Sequence, residues 1–173
     1  LCLAVAGQPG AKVMSPEPSF AVYRIAAQSL GLEFVGVPLD AEDFSLDLPA
    51  LLAAIEDHQP AVIFLASPNN PTANRLEAAG VAEICRAAPG VVVLDEAYYR
   101  FSGPTRVGEI PAHENLVVMH TLSKIGLAGL RLGALFAQPA WVELFERLRM
   151  PYNINTLTQV GACFAFEHLA EFE

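Results

Sequence analysis

Short, continuously apolar runs alternate with amphipathic runs along most of this chain. Continuous apolar runs are typical of strands buried on both faces, whereas apolar positions three or four residues apart are typical of helices. The pattern predicts strands at 11–15, 33–39, 61–67, 91–96, 115–121 and 131–137, and helices at 18–31, 47–58, 75–88, 139–149 and 156–173. Because strands and helices alternate, we expect an α/β fold in three layers, a mainly parallel sheet between helices on both faces.

The composition narrows the range of partners. The 173 residues suit one domain with a sizeable core, and 53% of them are hydrophobic. The chain has 10 basic and 19 acidic side chains, a net charge of −9, without a basic block. It also has no apolar run of the length that spans a membrane. We therefore expect neither nucleic acid nor a membrane as a partner, and an anionic ligand would be held by local donors.

The cysteines and histidines predict neither a metal site nor a disulfide framework. Cys2, Cys85 and Cys163 lie far apart, and the four histidines show no zinc-site spacing. This usage favours a reducing, cytoplasmic location. The opening LCLAVAGQPGAKVM lacks the basic segment of a signal peptide and begins inside what looks like a helix, which predicts a fragment.

Three predicted strands run directly into polar residues. The strand at 61–67 leads into SPNNPT, the strand at 91–96 carries Asp95 near its end with Tyr98 following, and the strand at 115–121 leads into Ser123 and Lys124. In open α/β sheets, working residues lie just past the carboxyl ends of the strands. We therefore expect these side chains to share one edge of the sheet.

Each of these residues also has an ordinary structural interpretation. SPNNPT suits a plain strand-to-helix turn, and Asp95 suits a helix cap as well as a buried carboxylate with a cationic partner. Tyr98 could be a half-buried tyrosine, Lys124 a surface lysine, and Arg131 half of an ion pair at a strand end. The functional interpretation is favoured because all three strand ends carry such polar residues and follow one another along the chain.

Hydroxyls, glycines and an arginine follow the third of these strands. Thr121 and Ser123 lie beside Lys124, and Arg131 follows among glycines. Such a group suits a phosphate, since arginine can hold two phosphate oxygens at once. The spacing is neither that of a P-loop nor that of a dinucleotide fingerprint.

The segments SPNNPT, DEAY and TLSK…GLAGLRLG, in that order, resemble the motif series of the fold-type I pyridoxal-phosphate aminotransferases of class I and II. Within them the chain looks most like the histidinol-phosphate aminotransferases. SPEPSFAVYRIAAQ and RMPYNINTLTQ resemble further segments of that group, so the likeness covers nearly the whole chain.

The resemblance implies pyridoxal 5′-phosphate as the cofactor. Lys124 would bind the cofactor aldehyde covalently and later move a proton, and Asp95 would pair with the pyridinium nitrogen. The other implied contacts are Phe20 on the ring face, Asn70 and Tyr98 on the 3′ oxygen, and Thr121, Ser123 and Arg131 on the phosphate. The implied partners are small amino-acid and phosphorylated substrates and a second copy of the protein.

Three hypotheses of function stay open. The first is amino transfer between glutamate and imidazole-acetol phosphate, giving histidinol phosphate in histidine biosynthesis. The second keeps the cofactor and changes the substrate, as in an aromatic aminotransferase or a threonine-phosphate decarboxylase. The third is a non-catalytic α/β domain that keeps the motifs.

The resemblance also implies an incomplete enzyme. Residues 1–148 would be a cofactor-binding large domain that lacks a phosphate-binding Gly-Ser-Asp segment, and 149–173 the junction and start of a small domain. The strand at 131–137 would run antiparallel, beside a strand preceding residue 1. We expect the fragment alone to be inactive, to bind cofactor poorly and to self-associate.

The sequence departs from the motifs of the resembled family at two places. Ala73 stands where many relatives have glycine, and the spacing between Lys124 and Arg131 is one residue shorter than in other members.

Overall fold

The computed structural model describes Leu3 and residues 9–171, without the side chain of Leu169. The helix expected at the start of the chain lies outside the described residues, Leu3 apart. The elements are β1 (Lys12–Glu17), α1 (Val22–Ser29), β2 (Glu33–Pro38), α2 (Leu48–His58), β3 (Val62–Ala66), α3 (Ala78–Ala87), β4 (Val91–Asp95), β5 (Leu116–Thr121), β6 (Gly133–Phe136), α4 (Pro139–Leu148) and α5 (Thr156–Glu167). The predicted alternation is confirmed.

The six strands form one sheet in the order β2-β1-β3-β4-β5-β6. Neighbours from β2 to β5 run parallel. Only β6 runs antiparallel, with Gly133 opposite Thr121 of β5. The expected mainly parallel sheet with one antiparallel strand is therefore confirmed. β6 lies at an edge, and among the described residues it pairs with β5 alone.

Two apolar clusters cover the two faces of the sheet. In β3, Ile63 and Leu65 belong to the cluster shared with α2 and α3. Val62 and Phe64 belong to the cluster shared with α1 and α4. Alternate residues of a strand point to opposite faces, so β3 is buried on both sides, which explains its continuously apolar sequence.

Side-chain caps fix where two of the helices begin. The Asp47 carboxylate accepts a hydrogen bond from the Ala50 amide at 3.0 Å, which starts α2. Asn155 accepts one from the Thr158 amide at 2.9 Å, which starts α5. Each bond satisfies an amide that would otherwise lack a partner in the first helical turn.

Three helices are shorter than their sequence patterns predict. β1 continues to Glu17, and the turn after it delays α1 to Val22. α3 starts at Ala78 rather than at residue 75 because the Arg75 guanidinium donates to the carbonyls of Ser102 and Pro104, which holds this segment outside the helix. α5 ends at Glu167, and a short 3₁₀ turn follows it. In the described part of the chain, no helix has both the length and the apolar character needed to cross a membrane.

Candidate active site

The carboxyl ends of β3, β4 and β5 lie side by side because these strands are adjacent and parallel. The turns that follow them form a cleft with the segment before α1. Five of the residues predicted from the sequence line this cleft: Phe20, Asn70, Asp95, Tyr98 and Lys124. Tyr23, Ala66, Pro68 and Ala97 complete its lining. The expectation that these strand ends meet at one edge is confirmed.

Asp95 sits at the end of β4 with both carboxylate oxygens held. Oδ2 accepts a hydrogen bond from the Tyr23 hydroxyl at 2.6 Å, and Oδ1 accepts one from the Ala97 amide at 3.0 Å. Burial raises the pKa of Asp95 above its ordinary value, although these two hydrogen bonds oppose the rise. Such a carboxylate gains from a cationic partner in the cleft. The partner in the structure is a neutral tyrosine.

The structure adds Tyr23, for which the sequence pattern predicted no role. It lies on α1 and is only 6% exposed, with its ring stacked on Phe64 at a centroid distance of 4.6 Å. Burial, and then the negative charge of Asp95, raise the pKa of Tyr23 strongly, so its proton stays in place for donation. The sequence signal that could have found it is its position three residues after Phe20, since such a spacing places two residues on the same side of the helix predicted at 18–31.

The two asparagines of SPNNPT have different roles. Asn69 accepts a hydrogen bond from the Ser19 hydroxyl at 2.7 Å and donates to the Pro18 carbonyl at 2.9 Å and the Thr72 hydroxyl at 2.8 Å. It therefore fastens this turn to the segment before α1. Asn70 lines the cleft, and its amide makes no hydrogen bond to the described residues. The turn thus presents one free amide to the cleft.

Lys124 lies in a short 3₁₀ turn directly after β5, at the rim of the cleft. Its Nζ is 5.0 Å from the centroid of the Tyr98 ring. A cation over an aromatic face is held weakly at an exposed site, by about 0.5–1 kcal/mol. The amine is thus directed over the cleft without an ion pair to a carboxylate of the described residues.

Three predicted residues lie outside the cleft lining. Thr121 Oγ1 accepts a hydrogen bond from the Ser123 amide at 3.1 Å, so both residues shape the turn that carries Lys124. Arg131 is exposed in a left-handed backbone conformation, and its Nη1 donates to the Ala128 carbonyl at 3.1 Å. The structure does not bring the Arg131 guanidinium into the cleft. The phosphate contacts of all three residues remain predictions.

A second polar cluster, which the sequence pattern did not predict, adjoins the cleft. Glu96 is 1% exposed, and its carboxylate is 2.8 Å from His120 Nε2. It also accepts hydrogen bonds from the Thr105 hydroxyl at 2.5 Å and the Arg106 amide at 2.9 Å. Burial opposes ionisation, but these hydrogen bonds outweigh it and lower the pKa of Glu96. The cluster ties the end of β4 to the end of β5.

The family described as "Aminotransferase class I and II" matches residues 1–171. The chain belongs to this family. It is 55% identical over 165 residues to histidinol-phosphate aminotransferase 2 of Nitrosococcus oceani, an alignment that covers 95% of this chain and 45% of that relative. This aminotransferase chain therefore spans about half the length of the curated relatives it matches.

Solved structures of related enzymes share the fold of this aminotransferase chain. The histidinol-phosphate aminotransferase of Sinorhizobium meliloti, determined in complex with pyridoxal-5′-phosphate, superimposes with a TM-score of 0.81 at 26% identity, over 99% of this chain and 49% of that one. The L-threonine-O-3-phosphate decarboxylase of Porphyromonas gingivalis gives a TM-score of 0.78 at 25% identity, over 99% of this chain and 51% of that one. Both likenesses support the fold-type I large domain expected from the sequence.

Proposed function

We propose that the intact protein containing this chain is a pyridoxal-phosphate-dependent aminotransferase. Its reaction would transfer an amino group between glutamate and imidazole-acetol phosphate to give histidinol phosphate. The observation that carries the proposal is the single cleft that holds Asp95, Lys124 and Phe20 together. The 55% identity to a histidinol-phosphate aminotransferase supports the choice of substrate.

The cleft suits a planar, cationic ring. Asp95 lies at its buried side, where a protonated ring nitrogen would relieve the cost of the buried charge. Phe20 is 42% exposed, and this aromatic side chain lines the cleft. Ala66 and Pro68 leave room beside it. The residues that line the cleft therefore fit the ring of pyridoxal phosphate, and the phosphate contacts stay predictions.

When bound, pyridoxal phosphate would supply an aldehyde that captures amines and a ring that withdraws electrons. Asp95 would keep a proton on the ring nitrogen, which makes the ring a better electron sink. Lys124 would hold the aldehyde and carry a proton at its Nζ. Asn70 and Tyr98 would orient the ring by hydrogen bonds, and Thr121, Ser123 and Arg131 would bind the phosphate.

A second candidate function keeps the cofactor and removes a carboxyl group instead. The observation that favours it is the likeness to a threonine-phosphate decarboxylase, with a TM-score of 0.78. The test is to give the intact, cofactor-loaded protein histidinol phosphate with 2-oxoglutarate, and separately O-phosphothreonine. Glutamate formation in the first assay supports the proposal. Release of carbon dioxide in the second, without glutamate formation, supports the decarboxylase.

The assignments that concern the whole protein follow from the same proposal. They are a cofactor-binding domain up to residue 148, the junction of a small domain from residue 149, a homodimer, and a cytoplasmic location. Cys85 and Cys163 are both free, as a reducing compartment favours. All of these assignments, the location included, are predictions.

A further inference from the structure

We propose that Tyr23 is a positioning residue that keeps the Asp95 carboxylate ionised and turned toward the cleft, and that also supports Phe20. This inference rests on the proposed function, because it concerns how the protein holds the cofactor ring. Tyr23 acts here through two neighbours, one expected at the ring nitrogen and one at the ring face.

The hydroxyl of Tyr23 takes a fixed place on Asp95. It donates to Oδ2 at 2.6 Å, while the Ala97 amide donates to Oδ1 at 3.0 Å. A carboxylate oxygen can accept a second hydrogen bond, so this arrangement leaves a lone pair free for a ring N–H. The two donors together set the plane in which the carboxylate faces the cleft.

The ring of Tyr23 is held from two sides. It stacks on Phe64 of β3 with an angle of 5° between the rings. It also meets Phe20 edge-on, at 5.6 Å and 84°. Phe64 is buried in the sheet, whereas Phe20 is 42% exposed and needs support to keep its ring in place. Tyr23 thus connects the rigid sheet to the exposed aromatic of the cleft.

The groups around Asp95 act on its ionisation in opposite directions, so the hydrogen bond from the Tyr23 hydroxyl affects the balance. Glu96, next in the chain, opposes ionisation of Asp95, and His120 on β5 favours it. Lys124 and Tyr98 line the same cleft. Burial raises the pKa of Asp95, and the hydrogen bond from Tyr23 counteracts that rise. Without the hydroxyl, Asp95 would protonate at higher pH, and a neutral carboxyl holds a cationic ring poorly.

The test is the pH dependence of cofactor affinity in the intact protein, with Tyr23→Phe compared to wild type. Affinity is measured by titrating the cofactor-free protein with pyridoxal phosphate and following its absorbance. A charge-assisted hydrogen bond supports an expectation of about tenfold weaker binding at mildly acidic pH. The two affinities should converge to within about threefold as the pH rises, because ionisation of Asp95 then becomes more complete in both proteins.

Two control variants separate the hydroxyl from the fold. Phe64→Leu trims the stack but keeps the hydroxyl, so it should lower stability and leave the pH profile as in wild type. Tyr99→Phe removes a hydroxyl outside the cleft lining and should change neither the stability nor the pH profile of cofactor affinity. A Tyr23→Phe profile parallel to wild type at all pH values would overturn the inference, even if the variant is less stable.

A third variant tells this failure apart from failure of the proposed function. Asp95→Asn should weaken cofactor binding strongly at every pH. If the wild-type protein does not bind pyridoxal phosphate, or if Asp95→Asn binds as well as wild type, the proposed function fails and this inference fails with it. If Asp95→Asn weakens binding and Tyr23→Phe does not, only the inference fails.

Discussion

Arg131 is predicted to bind the cofactor phosphate, and its contacts in the structure are few. Its backbone is left-handed, with φ of 51°, and its guanidinium donates to the Ala128 carbonyl one turn away. That hydrogen bond joins the charged guanidinium to an uncharged carbonyl oxygen in an exposed turn. A phosphate would compete with it easily, because a guanidinium can hold two phosphate oxygens.

Replacement of Arg131 by alanine should therefore weaken cofactor retention by at least about tenfold, since charge-assisted hydrogen bonds contribute about 1.5–3 kcal/mol each. The measurement is the dissociation constant of pyridoxal phosphate in the intact protein. Arg147→Ala is the matched control, because Arg147 lies on the exposed side of α4 and, within the part of the chain that the structure describes, pairs with Glu143 alone. Equal affinity in wild type and Arg131→Ala would count against a phosphate contact.

Ala73 carries a conformational cost in the turn after β3. Its φ is 64°, a left-handed conformation that costs an L-residue roughly 1–2 kcal/mol. Glycine avoids that cost but loses about 0.5–1 kcal/mol in chain entropy. Ala73→Gly should therefore raise the free energy of unfolding by about 0.5–1 kcal/mol, as measured by urea denaturation.

The control for Ala73→Gly is the same substitution in a helix. Ala53 is exposed in α2, where glycine should lower the free energy of unfolding by about 1 kcal/mol. Opposite signs for the two variants support the left-handed turn at Ala73. A loss of stability in both would show that Ala73 does not adopt it.

The sequence predicted the site residues that come at the end of a buried strand or directly after it in the chain. Asp95 and Lys124 could be placed because each lies within a few residues of a buried apolar strand. Tyr23 could not, because its contact with Asp95 joins residues far apart in the chain. Gly90, directly before β4, depends on tertiary packing in the same way, since a Cβ there would lie 2.1 Å from the Ala61 carbonyl oxygen.

At the scale of elements, the Glu96 cluster adds a side-chain link between the ends of β4 and β5 to their backbone pairing. Glu96 follows Asp95 directly, and His120 precedes Thr121, so the cluster connects two segments of the cleft. The His120 ring is itself stacked on Tyr99 at 4.3 Å and meets Phe136 of β6 at 4.9 Å. His120 of β5 therefore contacts residues that follow β4 and a residue of β6.

Glu96 should make stability depend on pH in a defined direction. Its hydrogen bonds lower the pKa of Glu96 in the folded protein below the value in the unfolded chain, despite its burial. Its contribution to stability is therefore present above the unfolded pKa and is lost as pH falls through the folded pKa. Glu96→Gln should lower the free energy of unfolding by about 2 kcal/mol at neutral pH, because a buried ionic hydrogen bond is lost.

Urea denaturation at neutral and acidic pH tests this expectation. The difference between wild type and Glu96→Gln should shrink as the pH falls, because protonation removes the same charge. Glu56→Gln, on the exposed side of α2, is the control and should behave as wild type. A difference that stays constant from neutral to acidic pH would argue against an ionised Glu96.

The boundaries of elements were harder to predict than their order. The alternation of strands and helices fixes the order, because each buried strand needs an apolar run and each helix an apolar stripe. The starts of α1 and α3 depend instead on tertiary hydrogen bonds of the preceding turns, such as those of Asn69 and Arg75. No local pattern contains that information.

At the scale of the molecule, a mainly parallel sheet brings the predicted site residues together at the carboxyl ends of its strands. Lys124 follows the carboxyl end of β5. Lys12 is the first residue of β1 and so lies at the opposite, amino end of the strands. Lys12 Nζ is 3.4 Å from His58 Nδ1 and 4.0 Å from Glu33. The two lysines of the chain therefore occupy contrasting environments, one facing the cleft and the other already partnered.

The antiparallel edge strand was predicted from the family resemblance and is confirmed by the pairing of β5 with β6. Its outer side is unpaired among the described residues, as expected for the chain by itself. An unpaired apolar edge favours pairing with another chain. Self-association of the isolated chain and its poor cofactor binding remain predictions.

The most direct test of the central claim is to find which lysine carries the cofactor. The intact protein is loaded with pyridoxal phosphate, reduced with borohydride and mapped by peptide mass spectrometry. The cleft predicts the label on Lys124, its loss in Lys124→Ala, and its retention in Lys12→Ala. A label on Lys12, or one that persists in Lys124→Ala, would contradict the assignment of this cleft as the active site.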